Sequence, residues 1–183
     1  MRSVLVAALL LLATPSAYAF ERQHQLGASA DIALLSVEGR DGFKVAFGGS
    51  ARYSYGITDA WNFVAKAGAF GFVGTEVAKD GTTLPKTIPS SMFFGSVGAV
   101  YTFDVIQFVP YAGVMIGPSV FAGGTLEGAR WALSGDLLAG VTWNLSRNFA
   151  VGATVEQRFM LTDFSTYPSL TCFGLNASYV WGW

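Results

Sequence analysis

Most of the chain is written in twos. From residue 171 onward, Thr171, Phe173, Leu175, Ala177, Tyr179, Trp181 and Trp183 fall on one parity, and Cys172, Gly174, Asn176, Ser178, Val180 and Gly182 on the other. Successive side chains of a strand point to opposite faces, so this stretch has an aromatic, apolar face and a small, mostly polar one. The same period recurs upstream. Phe43, Val45, Phe47, Tyr53 and Tyr55 oppose Lys44 and Arg52. Leu133, Leu137, Val141 and Trp143 oppose Ser134, Asp136 and Thr142, and Phe149, Val151, Val155 and Phe159 oppose Glu156 and Arg158. Asp31 shares its parity with Gln23, Gln25 and Ser29, against Leu26, Ile32 and Leu34. Alternation predicts about eight strands, at 22–37, 43–56, 61–74, 92–103, 108–121, 132–144, 149–161 and 171–183. Each is long enough to cross a bilayer at a tilt, which takes about 9–11 residues.

Such a pattern suits a strand with lipid on one side and a polar lumen on the other, because Arg or Lys facing lipid at mid-depth costs about 2–4 kcal/mol. Leu35, Phe70, Phe72, Phe94 and Leu138 break the rule by falling on the polar parity, and the fifth strand does not declare its polar face. Bulges or apolar packing inside the lumen would absorb them. The connections alternate in length. Residues 57–60, 104–107 and 145–148 are short, whereas Thr75 to Ser91, Ala122 to Trp131 and Thr162 to Leu170 are longer and rich in Gly, Thr, Ser and Pro. Short periplasmic turns and longer external loops are the usual asymmetry of outer-membrane barrels. The loop Glu38 to Gly42 fits either side.

Composition sharpens the class. A hydrophobic share of 52% and a mean hydropathy of +0.44 are high for a soluble domain, and only helices and closed barrels satisfy their backbone in lipid. The helical rival, the uncharged run Val105 to Leu126, contains Pro110, Pro118, Gly113, Gly117, Gly123 and Gly124. These favour a turn, a strand and a loop over one helix. The expected fold is all-β: a transmembrane, antiparallel, up-and-down β-barrel of about eight strands. At the N-terminus, Arg2, the apolar run Val4 to Ala13 and Ala17-Tyr18-Ala19 read as a cleaved signal peptide over 1–19. The barrel domain is then 20–183, exported through the periplasm. The apolar run is too short to span as a helix, and no Cys follows it, which disfavours a retained anchor or a lipoprotein. Removal of Arg2 with the signal peptide takes the net charge from −1 to −2, which argues against nucleic acid as a partner. The single cysteine, Cys172, excludes an internal disulfide and reads as a small lumen-facing residue.

The signal peptide, the turn Tyr55-Gly56-Ile57-Thr58-Asp59-Ala60-Trp61, the strand start Val109-Pro110-Tyr111-Ala112-Gly113-Val114 and the terminal Tyr179-Val180-Trp181-Gly182-Trp183 together resemble the small eight-stranded outer-membrane barrels of Gram-negative bacteria, the OmpA transmembrane-domain and OmpX type. The resemblance covers the whole mature chain and is specific for architecture rather than activity, since this architecture hosts scaffolds, adhesins, pores and lipid-modifying enzymes. It implies an integral protein of the bacterial outer membrane, contact with outer-membrane lipid, and recognition of Trp183 as an assembly signal by the barrel assembly machinery.

Candidate chemistry is sparse. Asp31, Arg52, Lys66, Asp136, Glu156 and Arg158 form the expected lumen charge network, with Glu156 and Arg158 at its centre, because buried charges need partners. The rival reading makes the same charges a selectivity path, although eight strands leave an interior that side chains nearly fill. His24, the only histidine, falls at the start of the first strand near the periplasmic mouth. Barrel enzymes of similar architecture place a histidine in the outer half beside a Ser or an acid, so catalysis is not expected. One His and one Cys give no metal-ligand spacing, and no cofactor is expected. Trp61, Tyr101, Phe103, Trp143, Phe149, Trp181 and Trp183 are placed as an inner aromatic girdle, and Phe121, Trp131, Phe159, Phe164 and Tyr167 as an outer one. The expected function is a structural or surface-interaction role through the three longer loops, whose partner the sequence does not name. The alternative is a small passive pore for ions or small solutes.

Overall fold

The computed structural model describes residues 22–37, 43–74, 88–103 and 108–182. The expected signal peptide, the assembly residue Trp183, the loop residues 38–42 and 75–87 and the turn 104–107 lie outside them. Eight strands follow in chain order: β1 (His24–Ser36), β2 (Phe43–Gly56), β3 (Trp61–Phe72), β4 (Ser91–Thr102), β5 (Phe108–Ala122), β6 (Arg130–Asn144), β7 (Phe149–Met160) and β8 (Ser169–Trp181). Each pairs antiparallel with the next, and β1 pairs with β8 to close the barrel. Closure leaves no sheet edge, which is what lets strands satisfy their backbone without water. The boundaries agree with the alternation to within about two residues, the usual scatter at strand ends.

Topology assigns the two ends. The β1 start, the turns 57–60 and 145–148 and the β8 end share one rim, and the β1–β2, β3–β4, β5–β6 and β7–β8 connections share the other. The end of β1 and the start of β2 therefore lie on the same rim as the β5–β6 and β7–β8 connections. Short turns are held by their own hydroxyls: Thr58 Oγ1 accepts from Trp61 N at 3.0 Å, and Ser146 Oγ from Phe149 N at 3.1 Å.

The outward parity is apolar around the circumference, with Leu175 72% exposed and Leu26, Phe47, Phe93, Val114 and Leu137 also exposed. In water that surface would be a liability; in hydrocarbon it is the solvent-facing layer the fold needs. At the inner rim, Trp61 packs edge-on against Tyr101 at 5.2 Å, Phe149 against Tyr179 at 5.3 Å, and Trp181 stacks on His24 at 5.5 Å. This is the expected inner girdle. Two members of the expected outer girdle are reassigned. Phe121 and Tyr167 are fully buried and stack at 4.3 Å inside the barrel, whereas Trp131 and Phe164 are exposed outward. Aromatic identity alone does not say which side of the wall a ring takes. Glycine tunes wall thickness at Gly98, where a Cβ would overlap the Val114 carbonyl oxygen of the neighbouring strand.

Candidate functional site: the barrel lumen and its outer cap

Because the inward parity of all eight strands converges on one axis, the lumen is where this fold assembles chemistry. Register puts Asp136 of β6 directly across from Arg158 of β7. Arg158 Nε donates to Asp136 Oδ1 at 2.7 Å and Nη2 to Oδ2 at 3.0 Å, a bidentate pair that fits the guanidinium fork. Ser96 Oγ of β4 donates to Asp136 Oδ2 at 2.7 Å. On the other side, Arg158 Nη2 donates to Glu156 Oε1 at 2.7 Å, and Glu156 Oε2 accepts from Lys66 Nζ at 2.7 Å. Lys66 lies on β3, four strands from β7 around the barrel, so this last contact spans the lumen. Phe94 completes the layer: the Arg158 guanidinium lies 3.8 Å from its ring centroid and the Lys66 ammonium 5.6 Å.

Four of the six expected network residues, Lys66, Asp136, Glu156 and Arg158, are thus brought together, two of each sign. Asp31 and Arg52 stand apart from that chain of contacts. Asp31 faces the lumen and is buried, but its Oδ2 accepts from the hydroxyls of Ser29 at 2.9 Å and Ser50 at 3.1 Å rather than from a cation. Arg52 sits over the Tyr111 ring, 4.8 Å from its centroid, and its Nε is buried without a hydrogen-bond partner among the described residues.

Above the charged layer, toward the external loops, the lumen is closed and mostly apolar, although Lys44, Ser119 and Ser134 are also buried there. Leu35, Phe70, Met92, Phe94, Phe121, Met160, Leu170 and Cys172 pack as one cluster, with Phe70 and Phe94 stacked at 5.7 Å. Leu35, Phe70 and Phe94 are the parity misfits, and here they form a plug; Phe72 packs against its edge. Leu138 belongs to a smaller cluster on the inner side with Val64, Val100, Tyr111 and Met115. Apolar residues on the inward side therefore also explain why β5 carried no polar face: Val109, Tyr111, Met115 and Phe121 point in.

A cap that the sequence reading missed seals the outer end. Tyr167, in the β7–β8 connection, lies on Phe121, while Arg130 Nε at the start of β6 meets Asp163 at 2.6 Å. Arg130 Nη2 also donates to Thr166 Oγ1 at 3.1 Å. Burial pushes the Tyr167 phenol up to about 12, with the Asp163 carboxylate adding to the rise and Arg130 opposing it. The only signal in the sequence was one cation and one acid flanking different loops, which no spacing rule connects.

Below the charged layer the lumen is polar and hollow. Gln23, Gln25, Ser54, Asn62, Thr142 and Asn176 line a cavity of about 90 Å³ reaching from the inner rim to Lys66 and Glu156. Tyr111 Oη and Thr154 Oγ1, 2.5 Å apart, form one of its walls, and Asn176 Nδ2 donates to the same Thr154 oxygen at 3.1 Å.

A closed antiparallel eight-stranded barrel with an apolar exterior, an aromatic rim and a paired charge layer is a transmembrane β-barrel of the bacterial outer-membrane type. Solved structures of that type superpose on it. Neisserial surface protein A (NspA) matches with a TM-score of 0.63 at 15% identity, covering 86% of this chain and 95% of that one. The N-terminal β-barrel domain of Pseudomonas aeruginosa OprF gives a TM-score of 0.61 at 14% identity, covering 88% and 98%. Ail, the attachment invasion locus protein of Yersinia pestis, gives 0.55 at 16% identity, covering 88% and 99%. No protein-family model and no curated protein sequence matches the chain, so what is shared is the fold.

Proposed function

We propose that the protein is an integral outer-membrane scaffold whose activity lies in surface interaction through its external loops, not in transport or catalysis. The observation that carries this reading is the dry plug above a neutralised charge layer: apolar side chains from the wall strands fill the outer half-lumen, leaving the loops as the part of the molecule open to the outside. Small barrels whose names refer to a surface protein and to attachment share the fold, which agrees with this reading. Its membrane partner is outer-membrane lipid. Assembly through Trp183 by the barrel assembly machinery, and export behind a cleaved segment over 1–19, belong to the same proposal.

Catalysis is not part of it. The only histidine, His24, lies at the inner rim, stacked on Trp181 with Nδ1 2.8 Å from the Tyr53 hydroxyl, far from any carboxylate of the lumen layer. A second reading, the small passive pore, draws on the polar cavity beneath Lys66 and Glu156. It requires the plug to part.

The loop reading is tested by displaying the barrel on outer-membrane vesicles with residues 123–129 and 161–168 each replaced by a short Gly-Ser turn. Binding of the vesicles to a panel of polysaccharides and extracellular glycoproteins should fall at least tenfold while the barrel stays folded and heat-modifiable on gels. Equal binding by folded loop-replaced barrels, or no binding by either form, would overturn it.

A further inference from the structure

Among the described residues, the inner half-lumen contains a cation with no carboxylate paired to it. Every carboxylate oxygen of the central layer is already taken: Asp136 by Arg158 and Ser96, Glu156 by Arg158 and Lys66. Asp31 is held by two serine hydroxyls, with Oδ1 pressed against Gly174. That accounts for the acids of the cavity wall. Its cations number one more: Lys66, Arg52 and, at the inner rim in the turn between β6 and β7, Arg147.

Arg52 is placed where a second positive charge is least welcome. It pairs in register with Lys66 on the adjacent strand, and like charges opposite one another across a ladder are unfavourable. Lys66 is relieved by Glu156, but among the described residues Arg52 has only the face of Tyr111, which orients its guanidinium without supplying an acceptor. Among the described residues its buried Nε has no acceptor, and neither has the buried Nε2 of Gln23 at the rim of the same cavity. Unmet buried donors are costly and mark a place where an acceptor belongs. Both residues line a cavity of about 90 Å³, several times the ~10–15 Å³ one water needs. Among the described residues none of the external connections lines it, and its lining runs to the inner rim at Gln23, Asn144 and Arg147, so it is entered from the periplasmic side.

We infer that this vestibule is a binding site for a small oxyanion, a phosphate or carboxylate group, taken up from the periplasmic side and held by the guanidinium of Arg52, with Arg147 opposite it at the mouth. A planar guanidinium fork matches two oxygens of either group, and the cavity walls exclude enough water to strengthen the contact. The inference concerns the inner end of the barrel and does not depend on the role of the loops.

The test is a titration of the refolded mature chain in phosphatidylcholine nanodiscs, followed by ¹⁵N NMR at the Arg52 side-chain Nε–Hε. Inorganic phosphate and acetate are added in separate arms, with sodium chloride at matched ionic strength as reference. Saturable movement of the Arg52 signal with phosphate or acetate, absent with chloride and reduced severalfold in Arg147→Gln, is the expected result. In Arg52→Gln, whose folding is checked by heat-modifiability, the backbone shifts at Gly27 and Lys66 should be lost. A response to chloride of the same size, no saturable response, or shifts that persist unchanged in Arg52→Gln would overturn the proposal. Should Arg52→Gln not fold, the direct Arg52 signal and the Arg147 variant decide the matter.

Discussion

The two halves of the lumen are built from the same strands and solved in opposite ways. The outer half packs Leu35, Phe70, Met92, Phe94 and Phe121 like the core of a soluble domain, whereas the inner half leaves a hollow in which amides and hydroxyls share the wall with Tyr111, Met115 and Leu138. Between them a single layer of two cations and two carboxylates separates dry from wet. The contrast teaches that alternation decides which side chains point inward, but not what the inside is made of. Where the loops and plug keep water out, apolar burial stabilises the wall. Where the rim admits water, short polar side chains are tolerated and a cavity persists.

The contrast is broken most severely at the layer itself. Arg158→Leu strands Asp136 and Glu156 as buried carboxylates lacking the guanidinium that joins them, which should cost about 3–5 kcal/mol. Guanidinium-induced unfolding in lipid vesicles reads this directly, and a loss below about 1 kcal/mol would mean the layer is not buried as described. In the plug, Leu35→Ala should cost about 2–5 kcal/mol by the same measurement, the range for cavity formation at a buried leucine. The cap answers to pH. The Tyr167 phenol is raised in the folded protein above its ordinary value, so the neutral form stabilises the cap fully below about pH 10 and that contribution is lost as pH climbs toward about 12. Phenolate absorbance should show this tyrosine ionising last, and Tyr167→Phe should remove the cap's alkaline sensitivity. Smallest of all, Thr142→Ala on the vestibule wall should change stability by no more than about 0.5 kcal/mol.

Much of the architecture was legible because lipid makes parity strict. Six aromatic and apolar positions at every second residue of 173–183 admit one orientation, and a one-residue slip would turn Glu156 and Arg158 into hydrocarbon. The contacts that join Asp136, Glu156 and Arg158 follow from neighbouring strands sharing a face. The failures have a common physical cause. Phe121 and Tyr167 looked like girdle residues because an aromatic near a strand end suits either the interface or a dry lumen, and only the closure of the outer half decides between them. Arg52 and Asp31 were expected within the network because charge and parity matched. Their separation depends on shear around the barrel, which sets the height of each strand and leaves no trace in a single strand's sequence. The cap of Arg130, Asp163 and Thr166 joins residues more than thirty positions apart with no periodicity to link them.

The closed lumen is the claim on which the account rests, and single-channel recording in planar bilayers addresses it most directly. The refolded wild-type barrel should be electrically silent, as should Glu156→Gln, because the plug rather than the charge layer closes the path. Phe70→Ala combined with Phe94→Ala, which empties the centre of the plug, should give discrete conductance steps. Steps of defined size from the wild-type chain, with an ion selectivity that shifts in Glu156→Gln or Arg158→Gln, would contradict the account and make the barrel a channel.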